Sequence, residues 1–420
     1  MKNKRRDERF LDSIEYIDES IVNAVMAKLE PNKSVHSERF KRRNRWLVAG
    51  VAIAACAVLF SVAIPTTTTI ITHIDGFPPV GAGNESYELQ KAPEYDGSRG
   101  LKYVVSEDGE SASFISFGTC TDEDIVVASH YNGLPVVEML NQPYYDAENH
   151  YDNFAYGNEY AKTLTIPDTV KRVSGAIIDQ CPNLERVYIG AAVEVFATPF
   201  FNTPSKVVSI EVSPDNKNYS DAGNCLVDLR TKHLVWGCNT SVIPDDGSVE
   251  VIGTAAFMNA KGFSAEYLPE GIKTIEPNAF KGCDGLISLR LPSTLEKIWG
   301  STFVMCENLE SVDLNGYSVI EPAMFAYCTS LKEVKGSENI TFVDSSAFWG
   351  CTSLTIDLSP ALQKIEDGAF AFLYQNGEAV INFSGTIAEW NSIEKSDSWK
   401  TNSWFVDVNC TDGVLNLRGK

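Results

Sequence analysis

The chain has 420 residues, of which 44% are hydrophobic, and its formal net charge at pH 7 is −21. Residues 1–45 hold 12 basic and 8 acidic side chains, whereas the rest of the chain holds 23 basic and 48 acidic ones, a balance of −25. An acidic body behind a small basic head argues against nucleic acid as a partner.

The N-terminal segment contains a pattern typical of an amphipathic helix. Within residues 10–29, apolar side chains recur at steps of three and four positions. They are Phe10, Ile14, Ile17, Ile21, Val25 and Leu29. One interpretation is a docking helix for a cytosolic partner. The other is a short helix that lies against the membrane or frays, because isolated helices of this length are marginal in water.

An uncharged apolar run follows this segment. Residues 46–64 are nineteen consecutive positions without a charge, which predicts a single transmembrane helix. Five Lys and Arg residues lie between Arg39 and Arg45, and none follows the run until Lys91. The positive-inside rule then places residues 1–45 in the cytoplasm and the acidic body outside. A cleaved signal peptide is the alternative, but the basic region and the apolar run are both long for one, so we expect an uncleaved anchor in the cell membrane.

The next two segments lack the repeat pattern that follows them. Residues 65–97 are rich in Thr, Gly and Pro and have no periodicity, which indicates an extracellular linker. Residues 98–153 begin with strand-like alternation around Glu-Asp-Gly and Asn-Gly turns. The repeats that follow, described next, predict a solenoid, and the first coil of a solenoid needs a cap. We therefore interpret this segment as an N-terminal cap.

We interpret residues 154–370 as the repeat region, because a regular series of phenylalanines runs through residues 257–370. The series consists of Phe257, Phe280, Phe303, Phe325, Phe348 and Phe370, with steps of 23, 23, 22, 23 and 22 residues. In four of these units a cysteine follows the phenylalanine by three residues and a leucine by six. A fixed period in the low twenties predicts a solenoid, whose units bury their apolar faces only by stacking on one another.

The unit that begins at Phe280 shows how one repeat folds. Leu289 and Leu291 alternate with polar Ser288 and Arg290, which is the two-residue period of a half-buried strand. The fold class predicted from these units is a β-rich solenoid of about 22–23 residues per repeat, preceded by the transmembrane helix.

The repeat resembles the BspA-like leucine-rich repeat family of bacterial surface antigens, whose consensus is AFxxCxxLxxIxLPxxVxxI. The matches include Ala279-Phe280, Ala347-Phe348 and Ala369-Phe370, and the resemblance covers residue 98 to the C-terminus. It implies a leucine-rich-repeat solenoid with β-type caps at both ends, the second one at residues 371–420, and a role in surface adhesion. Such repeats are specific as a fold signal and weak as a function signal.

One step of the series is too long. Ile178 takes the phenylalanine position of an early unit and Phe201 follows 23 residues later, but Phe257 comes 56 residues after Phe201. About 33 extra residues therefore intrude, and they include two alternating runs around Arg-Thr-Lys-His. We interpret residues 213–248 as a hairpin that projects from the stack.

Two positions fit the repeat badly. Glu266 occupies the slot that Leu289 fills in the next unit, and Gly336 replaces the second strand leucine of its own unit. A lone buried carboxylate would be costly. Either the strand slips locally at Glu266, or the neighbouring hairpin shields and pairs the side chain.

The sequence contains no pattern typical of catalysis or metal binding. Ten cysteines are present, and five share one repeat position: Cys181, Cys283, Cys306, Cys328 and Cys351. We expect these to be buried free thiols, whereas a disulfide between Cys225 and Cys238 at the hairpin stays open. The histidines have no metal-ligand spacing, and no nucleophile or phosphate-binding motif appears. We therefore predict no enzyme, no cofactor and no metal.

The strand residues that alternate with core positions point outward, and stacking is expected to join them into one continuous face. Seven of them are candidate ligand-binding residues: Arg186, Tyr188, Glu211, Tyr267, Arg290, Asp313 and Lys335. Tyrosine and arginine dominate binding hot spots, so we expect the partner on the N-terminal half of this face, beside the hairpin.

These observations predict a membrane-anchored, surface-exposed protein that binds a protein or glycan partner, as the resemblance implies for adhesion. The alternative is a transmembrane signalling protein, in which the outer repeats sense a ligand and the helix at residues 10–29 engages a cytosolic regulator.

Overall fold

A computed structural model describes residues 96–140, 157–199, 204–373, 379–403 and 407–417. The helix predicted at residues 10–29 and the membrane span predicted at residues 46–64 lie outside them, as do nearly all of the linker and Phe201. Within the described ranges, no helix is both long enough and apolar enough to cross a bilayer.

The described residues lie in the unit Tyr87–Lys420 and form short strands with two short α-helices. The first strands are β1 (Lys102–Val105), β2 (Ala112–Ser116), β3 (Asp124–Val126), β4 (His130–Tyr131), β5 (Leu134–Met139), β6 (Thr163–Ile166), β7 (Arg172–Val173), β8 (Arg186–Ile189), β9 (Val195–Phe196) and β10 (Ser209–Val212). Next come β11 (Tyr219–Ser220), β12 (Cys225–Asp228), β13 (His233–Gly237), β14 (Val251–Ile252), β15 (Thr274–Ile275), β16 (Ser288–Arg290), β17 (Lys297–Ile298), β18 (Ser311–Asp313), β19 (Val319–Ile320), β20 (Glu333–Lys335) and β21 (Phe342–Val343). The last are β22 (Thr355–Leu358), β23 (Lys364–Ile365), β24 (Val380–Phe383), β25 (Glu394–Lys395), β26 (Asp407–Cys410) and β27 (Gly413–Asn416), and the helices are α1 (Gly175–Asp179) and α2 (Ile387–Ser392).

The strands stack into parallel ladders on two sides of the solenoid. One side, the front, consists of a sheet of β3, β6, β8 and β10 and a second sheet that runs from β16 through β18, β20, β22, β24 and β26 to β27. The other side, the back, consists of three sheets, and the middle one joins β11, β12, β13, β14, β15 and β17. Most coils therefore place one strand at the front and a two-residue strand at the back, as the predicted solenoid requires.

The phenylalanine series forms a continuous ladder inside the C-terminal part of the stack. All six rings are buried, and adjacent ring centroids lie 5.3 to 5.6 Å apart. In the early coil Ile178 is buried in α1, as its place in the repeat predicts. The repeat period thus becomes a column of apolar contacts, which is why each unit depends on its neighbours.

The repeat cysteines have a hydrogen-bonding role as well as an apolar one. The thiols of Cys283 and Cys306 lie 3.0 and 3.1 Å from the carbonyl oxygens of Phe257 and Phe280 in the preceding coil, and Cys328 and Cys351 repeat this contact. Burial raises the pKa of the Cys306 thiol to about 12, so it stays protonated and can donate. All nine cysteines of the described ranges are free thiols, Cys225 and Cys238 included.

The inserted segment contains an antiparallel hairpin, β12 with β13, but the expectation that it projects from the stack is wrong. β13 pairs in parallel with β14 and so continues the back ladder. Leu226 and Trp236 belong to the N-terminal core, whereas Val227 and Leu234 belong to the core that contains the phenylalanine ladder. The hairpin therefore forms a wall between the two cores, because both of its faces are apolar and each face is buried by packing against one core.

A glycine lets this wall close against the phenylalanine ladder. A Cβ atom placed on Gly237 would lie 2.0 Å from a ring carbon of Phe257, far inside van der Waals contact. Any larger residue would hold the wall away from the first ring of the ladder.

The two positions that fit the repeat badly leave the core in different ways. Glu266 is exposed, Ser264 to Tyr267 form no continuous strand, and Phe263 is buried with its ring centroid 4.1 Å from that of Phe257. Neither expected alternative occurs: Tyr267 keeps the 23-residue register with Arg290, and the strand is interrupted at Glu266, whose side chain is exposed to solvent. Gly336 has a φ of +79° and begins a turn, a conformation that favours glycine over leucine.

Candidate binding face

The N-terminal front sheet holds three of the seven candidate residues together. Arg186 lies in register between Thr163 and Ser209, and Tyr188 lies between Thr165 and Glu211. The Arg186 and Glu211 side chains are exposed and Tyr188 is half-buried, whereas the residues between them on each strand are buried. The alternation read from the sequence therefore places these side chains outward, as expected.

The C-terminal front sheet holds the other group. Arg290, Asp313 and Lys335 lie side by side on β16, β18 and β20. The Arg290 Nε and an Asp313 carboxylate oxygen are 3.9 Å apart, and both side chains are well exposed, so this ion pair is weak. A partner can therefore replace it at little cost.

The face is divided between these two groups, so the expectation of one continuous face is wrong. Tyr267 forms only an isolated parallel bridge to Arg290, and the two front sheets share no strand. Between β10 and Tyr267 the inserted segment passes along the front without adding a strand there. Its two long strands go to the back ladder, which leaves the front with a break.

Side chains of the inserted segment close the exposed edge of β10 at this break. The Asn224 side-chain oxygen accepts from the Ile210 N–H at 2.7 Å, and its side-chain nitrogen donates to the Val208 carbonyl at 2.8 Å. The Asp221 carboxylate accepts from the Val212 N–H at 3.1 Å. Side chains thus satisfy the backbone groups that a further strand would satisfy, and the first front sheet ends here.

Two parts of the face were missed in the sequence. The segment interpreted as a cap supplies β3, where Asp124 accepts a hydrogen bond from the Thr163 hydroxyl at 2.7 Å. At the other end Asn382 donates to Asp357 at 2.8 Å, and Asn409 donates to Asn382 at 2.9 Å. The alternation of apolar and polar residues around Ile125 was the sequence signal for β3. No such signal was available for β24, because the repeat period is interrupted before that strand.

The described residues contain no group of three or more His, Cys, Asp or Glu side chains that could hold a metal ion. His233 lies on the back ladder with its Nε2 atom 3.2 Å from a Glu276 oxygen, and this contact lowers the pKa of the Glu276 carboxyl. That pair lies at the back ladder, whereas the candidate residues lie at the front, and it links β13 to the coil that contains β15.

Comparisons with known proteins agree with the repeat architecture. The family model described as BspA type leucine rich repeat region matches residues 150–235 and 250–376 in six copies, together just over half of the chain. No curated protein matches the chain.

Several solved structures are similar to this chain at low sequence identity. A leucine rich cell surface protein from Faecalibacterium prausnitzii is 17% identical, with 72% of this chain and 98% of that chain covered and a TM-score of 0.34. A leucine-rich repeat protein from Eubacterium ventriosum is 17% identical, with coverage of 63% and 90% and a TM-score of 0.36. The pneumococcal vaccine antigen PcpA is 12% identical, with coverage of 76% and 98% and a TM-score of 0.41.

Proposed function

Because this chain belongs to the BspA-type leucine-rich repeat family, we propose that it is a membrane-anchored surface protein whose solenoid holds a protein or glycan partner on its front face, without catalysis. The observation that carries the proposal is the outward register of the front strands. It places arginine, tyrosine and carboxylate side chains in rows on a scaffold whose alternate positions are buried. Rows of this kind on a stacked repeat form an extended contact surface.

Two front residues beside the break are the strongest candidates for contact with the partner. Tyr267 is 59% exposed although it is aromatic, and Arg290 beside it is also exposed. Large amphipathic side chains in such positions bury much area on binding and keep a polar group for hydrogen bonding. Tyr188, on the first front sheet, extends the same surface across the break.

The proposed contact is tested by a triple variant, Tyr188→Ala with Tyr267→Ala and Arg290→Ala, in the full chain. We expect binding of the native surface partner to fall by at least about 100-fold, because truncation of a hot-spot residue typically costs 2 kcal/mol or more. A matched variant on the back ladder, Thr274→Ala with Val319→Ala and Phe342→Ala, should bind as the wild type does. Equal affinity of the front variant and the wild type would refute this face as the binding site.

Residues 46–64 are the proposed anchor, with residues 1–45 in the cytoplasm and the repeats outside the cell. The support is the uncharged run of nineteen residues and the five basic residues directly before it. A protease added to intact cells should remove the repeats and leave an N-terminal epitope protected. Loss of that epitope under the same treatment would reverse the orientation.

A further inference from the structure

Exposed apolar side chains gather at the break between the two front sheets. The residues that directly precede the front strands are mostly charged: Glu123, Lys162, Glu185, Glu310 and Lys332. The two that border the break are apolar instead, Val208 and Ile287, and they are 39% and 51% exposed. Val242 of the inserted segment is 71% exposed, so apolar surface lies on both sides of the break.

The backbone of Tyr267 presents an open strand edge toward this break. The Arg290 N–H donates to the Glu266 carbonyl and the Leu268 N–H donates to the Arg290 carbonyl, both at 2.9 Å. In a parallel bridge of this kind, the N–H and C=O of the middle residue point to the opposite side. Neither group of Tyr267 makes a hydrogen bond to any residue of the described ranges.

The other border of the break is already closed. Asn224, Asp221 and the Thr240 hydroxyl occupy the backbone groups along β10. The inserted segment is tied to that side, because the Asn239 N–H donates to the Val207 carbonyl at 3.0 Å. The Asn239 side-chain oxygen also accepts from the Gly262 N–H of the Tyr267 coil at 2.8 Å. A strand that adds at the break therefore pairs with the Tyr267 edge alone.

The side chains around the break are mostly acidic. Glu211, Asp221, Asp245, Asp246 and Glu266 are all exposed or half-buried there. Lys206 and Arg290 are basic residues near the same part of the front, and the Lys206 ammonium donates to Asn183. This balance favours an occupant that carries lysine or arginine beside its apolar residues.

We propose that the Tyr267 edge captures an extended segment of a protein partner by strand addition. Backbone hydrogen bonds to Tyr267 would set its register, apolar side chains would contact Val242, Tyr267 and Ile287, and basic side chains would face the acidic border. The inference rests on the proposed function and narrows it, because it selects a protein over a glycan and names the backbone edge as the point of contact.

The test uses the full chain in detergent and two synthetic peptides. The probe is a peptide of alternating valine and threonine with lysine at both ends, and its matched control carries N-methyl groups on alternate residues, which block strand pairing. Tyr267→Pro removes the edge N–H, whereas Tyr267→Ala removes only the ring. We expect Tyr267→Pro and the methylated peptide each to weaken binding at least about tenfold, and Tyr267→Ala to weaken it less. Hydrogen exchange of the Tyr267 amide should slow when the probe binds, and urea unfolding verifies that the proline variant is folded.

Several results would overturn the inference. Equal losses in Tyr267→Pro and Tyr267→Ala, or equal binding of the methylated peptide, would mean side-chain contact without strand addition, and the proposed front-face function would stand. Failure of the probe to bind would remove the edge as a capture site. A dimer of the wild-type chain that Tyr267→Pro dissociates would identify a second copy as the occupant instead.

Discussion

Trp236→Ala is expected to lower the free energy of unfolding by about 3–5 kcal/mol. Trp236 is 1% exposed, its ring centroid lies 5.9 Å from that of Phe196, and it belongs to the N-terminal core. Its hairpin also contributes Val227 and Leu234 to the other core. Truncation therefore opens a cavity in the hairpin against which both cores pack. Urea unfolding followed by far-UV circular dichroism measures the change.

Leu229→Ala is the matched control in the same hairpin. Leu229 is 50% exposed, so its truncation should change the free energy of unfolding by no more than about 0.5 kcal/mol. If Trp236→Ala is as mild as this control, the hairpin projects into solvent after all and the two-core description fails.

Phe303→Ala has the second large expected effect, again a loss of about 3–5 kcal/mol. Its ring is fully buried and lies 5.4 and 5.6 Å from the rings of Phe280 and Phe325, with interplanar angles of 4° and 8°. Because the ladder is continuous, the cavity removes contacts from both neighbouring coils. Differential scanning calorimetry and urea unfolding should both report the loss.

Two further variants test whether the stability of these coils comes from the stacked rings of the ladder or from any apolar side chain of similar size. Phe303→Leu keeps most of the volume and should cost less than about 1.5 kcal/mol. Phe342→Ala removes a half-buried ring that points outward from the back ladder, and its cost should be smaller than that of Phe303→Ala. Equal costs for Phe303→Ala and Phe342→Ala would contradict the stacked ladder as the main support of these coils.

The sequence predicts the regular part of this fold because each core position recurs with one period. The steps between phenylalanines become stacked rings, and the alternation around Leu289 becomes the outward register of Ser288 and Arg290. A strand has a two-residue period, so one buried position determines the direction of its neighbours. This is why the outward placement of the seven candidate residues could be read without a structure.

The prediction that the inserted hairpin projects from the stack was wrong because alternation within a strand does not show which other elements pack on its two faces. Leu226-Val227 and Leu234-Val235-Trp236 are consecutive apolar residues, and such runs are typical of strands that are buried on both sides. The break in the front face follows from the same segment, because the strand-like role of the Asn224 side chain depends on contacts with β10 that no local pattern encodes. The division of the candidate residues into two groups could therefore emerge only from the structure.

The central claim is that a partner outside the cell contacts the front face of the solenoid. Photo-crosslinking on intact cells tests it most directly, with the reactive residue placed in the full chain either at Arg290 on the front or at Phe342 on the back. We expect a crosslinked extracellular partner from position 290 and none from position 342. Crosslinks that form from position 342 alone, or that reach only cytosolic proteins, would contradict it.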